Sequence, residues 1–175
     1  MITRKIDSII EHFYEEDNKA LLIDGARQVG KTYSIRNFGN KHFESFIEIN
    51  FVKTPEAIDI FKKAADSDSI LLRLSAFTDK PLIKGKTLIF FDEVQKCPEI
   101  VTAIKFLVDE GSYRYILSGS MLGVELKGLS SAPVGYMDIM EMYPIDFKEF
   151  IGALGVSSRI LDMLHQCFND RTMID

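Results

Sequence analysis

The chain has 175 residues, 46% of them hydrophobic, which suits one globular domain with a real core and leaves no room for a second full domain. Its formal net charge of −5 means that nucleic acid and anionic membranes repel the chain as a whole, so any contact with a polyanion must be local. The two cysteines and three histidines lack the spacing of a metal site, and no run approaches the roughly 20 apolar residues that span a membrane. We therefore expect a reduced, cytoplasmic protein without a membrane segment.

Two predicted elements precede the first motif. Apolar residues recur at helical spacing between Ile2 and Phe13, with charged residues between them, which predicts an amphipathic helix packed on the rest of the domain. Residues 19–24 follow as an apolar run of strand length. This strand matters because the motif that comes next requires one before it.

Residues 25–32 read GARQVGKT and match the phosphate-binding pattern G-x-x-x-x-G-K-[ST]. Glycines at Gly25 and Gly30 let backbone N–H groups approach phosphates without an intervening Cβ. Lys31 would reach the β- and γ-phosphates, and the Thr32 hydroxyl would bind Mg²⁺. The pattern predicts a triphosphate site. The alternative is a glycine-rich turn in an ordinary α/β domain.

The next part of the chain is predicted to contain three helices and an edge strand. Residues 45–51 alternate apolar and polar side chains, which is typical of a strand at or near a sheet edge with one face exposed to solvent. In chain order we predict a helix over 31–38 that ends at Gly39, the strand over 45–51, a helix over 55–65 capped by Thr54, and a helix capped by Asp68.

Residues 87–91 form an apolar run that is typical of a central parallel strand covered on both faces. Asp92 and Glu93 follow it directly, and side chains at the carboxyl end of such a strand face the crevice where α/β sheets bind ligands. Asp92 would hold Mg²⁺ through water, and Glu93 would polarise an attacking water as general base. Acidic residues are common where a strand meets a turn, so it is the combination with the phosphate pattern that favours this interpretation.

The rest of the sequence adds two strands and three helices. Ser118 and Ser120 follow a strand predicted over 113–117, at the same rim as Asp92. One of these hydroxyls is a candidate sensor of the γ-phosphate; the alternative is that both begin an ordinary turn. The other elements predicted here are a helix opened by Pro98 and ended by Gly111, an edge strand over 136–143, a helix opened by Asp146 and Glu149, and a last helix with apolar positions from Ile160 to Phe168.

Four stretches resemble, in their residues and their order, motifs of the AAA-type ATPases of the additional-strand P-loop class. They are GARQVGKT, LIFFDEVQ, YILSGS and MYPIDFKEF. In these relatives an amino-terminal ATPase domain is usually followed by a carboxyl-terminal domain of unknown function. The resemblance covers roughly residues 2 to 151. It implies a three-layer α/β P-loop NTPase fold, with a mostly parallel five-stranded sheet in the order 5-1-4-3-2 and helices on both faces.

The resemblance also implies ATP and Mg²⁺ as ligands. Mg²⁺ would be held at Thr32 and Asp92, with Glu93 as catalytic base, Lys31 on the phosphates and Ser118 as the sensor. The residues implied to bind the nucleotide are Gly25, Ala26, Arg27, Gln28, Val29, Gly30, Lys31, Thr32 and Tyr33.

Two features depart from the family pattern. Tyr136 follows Gly135 where relatives often carry a basic residue, so the sequence does not predict a finger or sensor cation at that place. The chain also ends where the second domain of its relatives would begin. Among the arginines, Arg27 either contacts phosphate or a neighbouring subunit, or is exposed without a role. Without an arginine finger, which is worth about 10³-fold or more in rate, we expect slow turnover by this chain alone. We also expect residues 1–155 to form the ATPase domain and 156–175 a helical tail that starts a second domain, so that the chain is a truncated protein or a fragment.

Three functional hypotheses follow. The leading one is a domain that hydrolyses Mg-ATP and whose nucleotide state drives or gates a partner domain or subunit. The alternative is a nucleotide-gated binding module without turnover, and a small-molecule kinase is disfavoured because Glu93 beside Asp92 suits activation of water. The apolar face of the last helix indicates burial against a partner, and that partner could be a second copy of this chain. The net charge does not support nucleic-acid binding by this chain.

Overall fold

The computed structural model describes residues 2–62, 66–120 and 135–172. The helices and strands there are α1 (Lys5–Glu16), β1 (Ala20–Asp24), α2 (Lys31–His42), β2 (Ser45–Asn50), a 3₁₀ turn (Pro55–Ile58) leading into α3 (Asp59–Lys62), α4 (Ser67–Phe77), β3 (Thr87–Asp92), a 3₁₀ turn (Val94–Lys96), α5 (Glu99–Glu110), β4 (Arg114–Ser118), β5 (Met137–Glu141), α6 (Phe147–Ala153) and α7 (Ser158–Asp170). Within these residues no helix is both long enough and apolar enough to cross a membrane.

The five strands form one wholly parallel sheet in the order β2-β3-β4-β1-β5. This confirms the predicted fold and strand order, with β2 and β5 at the edges. The register aligns Asn50 with Asp92 and Asp92 with Ser118. Because parallel strands present their carboxyl ends at one rim, these polar side chains meet there beside the loop that follows β1.

Apolar clusters cover both faces of the sheet, because successive side chains of a strand point to opposite faces. On one face, Leu22, Ile89 and Phe91 pack with residues of α3, α4 and α5. On the other face, Leu21, Phe90 and neighbouring strand residues pack with α1 and α2. Every residue of β3 is buried, as its unbroken apolar run predicts.

The structure corrects the predicted end of α2. The helix does not stop at Gly39 but continues to His42. Gly39 is buried, and a Cβ at this position would lie 2.3 Å from Cδ2 of the Phe46 ring. The glycine therefore allows β2 to pack closely against the helix, a tertiary requirement, and does not end the helix.

Two predicted helix starts need correction. Thr54 does occupy the N-cap position, with Pro55 first in the helix, but its hydroxyl donates to the carbonyl of Asn50 and not to the helix. A 3₁₀ turn followed by α3 replaces the single helix predicted over 55–65, of which 63–65 lie outside the described residues. α4 is capped by Asp66, which accepts from the Ser69 N–H at 2.7 Å, whereas Asp68 lies within its first turn. Asp66 and Asp68 have the same side chain, so capping chemistry alone does not distinguish them.

Candidate functional site

The loop between β1 and α2 owes its tight curvature to three residues with positive φ. Gly25 has φ 145°, Gln28 has φ 65° and Gly30 has φ 104°. A Cβ at Gly25 would also lie 2.2 Å from the carbonyl oxygen of Met142, so both backbone conformation and close packing require glycine there. The sequence pattern and the observed curvature of the loop therefore agree.

Lys31 begins α2 and is buried inside the curve of the loop. Its Nζ donates to the carbonyl oxygens of Gly25 at 2.6 Å and Ala26 at 2.8 Å. Burial lowers the pKa of Lys31, and the nearby charges of three acidic residues, among them Glu93 and Asp92, act in the opposite direction. The ammonium is thus held close to the loop and to both acidic residues at the end of β3.

The Asp92 carboxylate lies at the centre of the rim and is buried. Its Oδ2 accepts from the Thr32 hydroxyl at 3.3 Å and from the Asn50 amide at 2.9 Å. Its Oδ1 accepts from the Ser118 hydroxyl and from the Glu93 N–H. The contact with Thr32 brings together the two residues predicted to hold Mg²⁺.

Thr32 and Asp92 fit the requirements of Mg²⁺, which prefers hard oxygen ligands and often takes only one or two from the protein, the others coming from water and phosphate. In the described part of the chain, no group of three or more His, Cys, Asp or Glu side chains could hold a metal by itself. The site therefore suits a cation that arrives with a phosphate ligand, rather than a closed structural metal site.

Glu93 follows Asp92 with a left-handed backbone, φ 60° and ψ 44°, which is uncommon for a residue with a side chain. Its carboxylate accepts from the side-chain amide of Gln95. The sharp turn after β3 places both Asp92 and Glu93 in the lining of one cavity.

This cavity has a volume of about 610 Å³, within the range of about 300–1,000 Å³ that is usual for small-molecule sites. Asp92 and Glu93 are its acidic lining residues. Its basic lining residues are Arg27, Lys31, Arg36 and Lys96. Mixed charge of this kind, next to backbone N–H groups at the start of α2, suits a polyanion bound together with a cation.

The residues predicted to bind nucleotide do not all line the cavity. Those that do are Arg27, Gln28, Gly30, Lys31, Thr32 and Tyr33. Gly25 and Ala26 hold the lysine through their carbonyls, and the Val29 carbonyl accepts from Arg4 at 2.7 Å. Ser118 is fully buried with its hydroxyl on Asp92, whereas Ser120 lines the cavity. The role of Ser118 as a phosphate sensor stays a prediction.

The sequence patterns did not mark several side chains of the site. Asn50 and Gln95 hold Asp92 and Glu93, Arg36 and Lys96 line the cavity, and Arg4 contacts the phosphate loop. The polar residue that ends β2 was a usable signal for Asn50. The Arg36 guanidinium makes two 2.6 Å contacts with Glu48, which raise the pKa of Arg36. No sequence spacing marked Arg4.

Comparison with known sequences identifies relatives. The sequence model of a family described as AAA domain matches residues 17–151. An uncharacterized protein of Methanocaldococcus jannaschii is 32% identical over 135 residues, which cover 77% of this chain and 28% of that protein. The chain thus spans less than a third of the length of that relative.

Two solved structures share the fold. The ORC1 protein of Aeropyrum pernix, in complex with DNA, has a TM-score of 0.54 and 14% identity, with 87% of this chain and 47% of that chain covered. AMPPCP-bound DnaA from Aquifex aeolicus has a TM-score of 0.56 and 17% identity, with 90% of this chain and 53% of that chain covered. At these identities the likeness extends to the fold alone.

Proposed function

The chain belongs to the AAA domain family, and on that premise we propose that it binds Mg-ATP in the cavity beside the phosphate loop and hydrolyses it slowly. Its nucleotide state would drive or gate a partner domain or subunit. The observation that carries this proposal is the contact between Thr32 and Asp92, made in a cavity that Lys31 and Glu93 also line. The groups that would bind phosphate, hold the metal and activate water thus lie side by side.

Phosphate binding falls to the loop backbone and Lys31. The N–H groups at the start of α2 would hold the phosphates, helped by the positive end of the helix. The Lys31 ammonium would leave the carbonyls of Gly25 and Ala26 for the phosphate oxygens. Because burial already removes part of the water around that ammonium, its charge would act on the phosphates with less screening than at the surface.

Thr32 and Asp92 would hold Mg²⁺, which supplies neutralisation of charge on the β- and γ-phosphate oxygens when bound. Asn50 and Ser118 orient the Asp92 carboxylate from two neighbouring strands. In this arrangement Ser118 would respond to the γ-phosphate through Asp92, since its hydroxyl is already bound to that carboxylate.

Glu93 would take a proton from the attacking water as general base. Gln95 holds its carboxylate, and the left-handed backbone turn fixes its direction. Turnover by the chain alone would be slow, because Arg36 is paired with Glu48 and Arg27 is exposed at the cavity. An arginine finger supplied by a neighbour would then set the rate.

We propose that residues 1–155 form the ATPase domain, and that residues 156–175 either contact a partner or form the start of a second domain. Support comes from α7, whose large apolar side chains include the exposed residues Ile160, Met163 and Phe168. An apolar helix face of this size favours a protein partner. The net charge of −5 argues against nucleic acid as the direct client of this chain.

The proposal is tested by Lys31→Ala and Glu93→Gln. Lys31→Ala should lose measurable binding in a titration with a fluorescent ATP analogue and Mg²⁺. Glu93→Gln should bind with wild-type affinity but release phosphate about 100-fold more slowly or worse. Lys86→Ala is the matched control, since Lys86 pairs with Glu44 in an exposed position. Equal phosphate release by wild type and Glu93→Gln would refute the assigned base.

A second candidate is a nucleotide-gated binding module without turnover. The engagement of the Glu93 carboxylate by Gln95 favours it, because a base that is already bound is less free to accept a proton. Tight nucleotide binding together with phosphate release at background level would select this module over the ATPase.

A further inference from the structure

Arg4 is a buried arginine whose guanidinium joins three parts of the chain. It is 8% exposed. Nη1 donates to the Val29 carbonyl of the phosphate loop at 2.7 Å, and Nη2 donates to the Tyr143 carbonyl after β5 at 2.8 Å. Nε donates to Oε1 of Glu149 in α6 at 3.1 Å. A buried arginine with each of its three nitrogens engaged in this way has one well-defined position.

Glu149 is held as firmly as Arg4. Its Oε1 also accepts from the Lys5 N–H at 2.7 Å, and its Oε2 accepts from the Asp146 N–H at 3.0 Å. Burial raises the pKa of Glu149, but the hydrogen bonds from Lys5, Asp146 and Arg4 outweigh burial and hold the pKa below its usual range. The pair therefore links the first turn of α1 to the first turn of α6 as a charged contact.

α6 contributes no side chain to either apolar cluster formed by the described residues. None of its residues is buried, and its side chains Phe147 and Phe150 are 69% and 52% exposed. The other ion pair at this junction, between Lys5 and Asp146, is between exposed side chains, so it contributes little. The buried contact of Arg4 with Glu149 is thus the stronger tie between α6 and the domain.

The Val29 carbonyl that accepts from Arg4 shares a planar peptide unit with the Gly30 N–H. No peptide bond in the described residues is cis, so this N–H points away from Arg4, and Gly30 lines the cavity. An arginine charge on the carbonyl polarises the peptide and strengthens its N–H as a donor. Phosphate at the N–H would strengthen the contact of the carbonyl with Arg4 in return.

We propose that Arg4 is a positioning residue that couples the phosphate loop to α6, through a latch formed by Arg4, the Val29 carbonyl, the Tyr143 carbonyl and Glu149. Filling the loop with phosphate tightens the attachment of α6, and releasing α6 weakens phosphate binding. The nucleotide part of this coupling rests on the proposed function. The mechanical link between loop and helix does not.

Hydrogen exchange of the full chain without nucleotide tests the link. Glu149→Gln keeps the size of a side chain that makes no hydrogen bond to the phosphate loop. It should nevertheless speed amide exchange in both 25–32 and 147–153 by roughly tenfold. Arg4→Ala should do the same. Lys5→Ala, the matched control, removes the exposed ion pair and keeps the Lys5 N–H contact, so exchange in 25–32 should stay within about twofold. Faster exchange in 147–153 alone would overturn the latch.

The same variants are then titrated with a non-hydrolysable ATP analogue and Mg²⁺. The affinity for the analogue should be roughly tenfold lower in Glu149→Gln than in wild type and unchanged in Lys5→Ala. The analogue should slow exchange in 147–153 of wild type and Lys5→Ala but not of Glu149→Gln. Unchanged affinity in Glu149→Gln would overturn the coupling. No binding by wild type would instead overturn the proposed function and the nucleotide part of the coupling, while the exchange result without nucleotide still decides the link.

Discussion

The carboxylate of Asp92 is held from three elements. Thr32 of α2, Asn50 of β2 and Ser118 of β4 each donate to it. The strand register aligns Asn50, Asp92 and Ser118 across three neighbouring strands, so the orientation of this carboxylate is a property of the sheet. A carboxylate fixed in this way would need little reorganisation to act as the proposed metal ligand.

Removing either orienting group should therefore reduce catalysis more than binding. We expect Asn50→Ala and Ser118→Ala to slow phosphate release about 10- to 100-fold, while nucleotide affinity measured without Mg²⁺ changes by less than about threefold. Steady-state phosphate release over a Mg²⁺ series checks this. Ser8→Ala is the control, because the Ser8 hydroxyl contacts only an exposed carbonyl in α1. Wild-type rates in both variants would mean that Asp92 keeps its orientation without them.

At the residue scale, local patterns predicted residues that the structure brings together at one cavity, but not the residues that support them. The apolar strand predicted where Asp92 and Glu93 lie, because strand ends meet at one rim. Asn50 depends on the register between β2 and β3, which no local pattern fixes. The contact of Arg4 with Glu149 joins residues 145 positions apart, and nothing in either local sequence announces it.

α2 shows how an element can obey tertiary packing against its local propensity. Gly39 lies within the helix, where glycine is usually unfavourable by about 0.5–1 kcal/mol relative to alanine. The Phe46 ring occupies the space that a side chain at position 39 would take. The packing of β2 against α2 thus explains both the glycine and the wrong prediction that the helix ends there.

Gly39→Ala should consequently destabilise the protein, by about 1–3 kcal/mol, although alanine is the better helix former. Gly152→Ala in α6 is the matched control: a Cβ there meets nothing within 4 Å, so we expect no loss of stability. Urea denaturation of both variants measures the difference. Adding Phe46→Leu to Gly39→Ala should recover part of the loss, and equal stability of the two glycine variants would show that the ring yields without cost.

Other elements were predictable to the extent that their signals were local. The alternation of β2 placed it at an edge, and the unbroken apolar run of β3 placed it inside the sheet, both confirmed by the strand order. The strand order itself was implied by the family resemblance. The cap of α4 was missed because Asp66 and Asp68 offer the same chemistry two positions apart.

The molecule as a whole is held in two physically different ways. Apolar clusters on both faces of the sheet hold the five helices from α1 through α5 against it. α6 is fastened mainly by the contacts of Glu149 with the Arg4 guanidinium and the Lys5 N–H, and it leaves Phe147 and Phe150 exposed. Apolar burial changes little with pH, whereas attachment by carboxylates must weaken in acid.

The stability of the whole chain should accordingly fall in acid in a way that depends on Glu149. Its folded pKa lies below its ordinary value of about 4.5, so its contribution is fully present above that pH and is lost as the pH falls through the folded pKa. The groups that face this carboxylate are Arg4, Lys5 and Asp146, and the pKa of Asp146 is likewise lowered by its contact with Lys5.

Urea denaturation at pH 7, 5, 4 and 3 should therefore show Glu149→Gln less stable than wild type at pH 7. The difference should shrink below about pH 4.5, as first the unfolded and then the folded state of wild type takes up a proton that the variant cannot bind. Glu15→Gln, which changes an exposed carboxylate in α1, should follow wild type at every pH. A constant difference between Glu149→Gln and wild type from pH 7 to pH 3 would show that the charge of Glu149 does not hold α6. The attachment would then depend on the shape of the side chain alone.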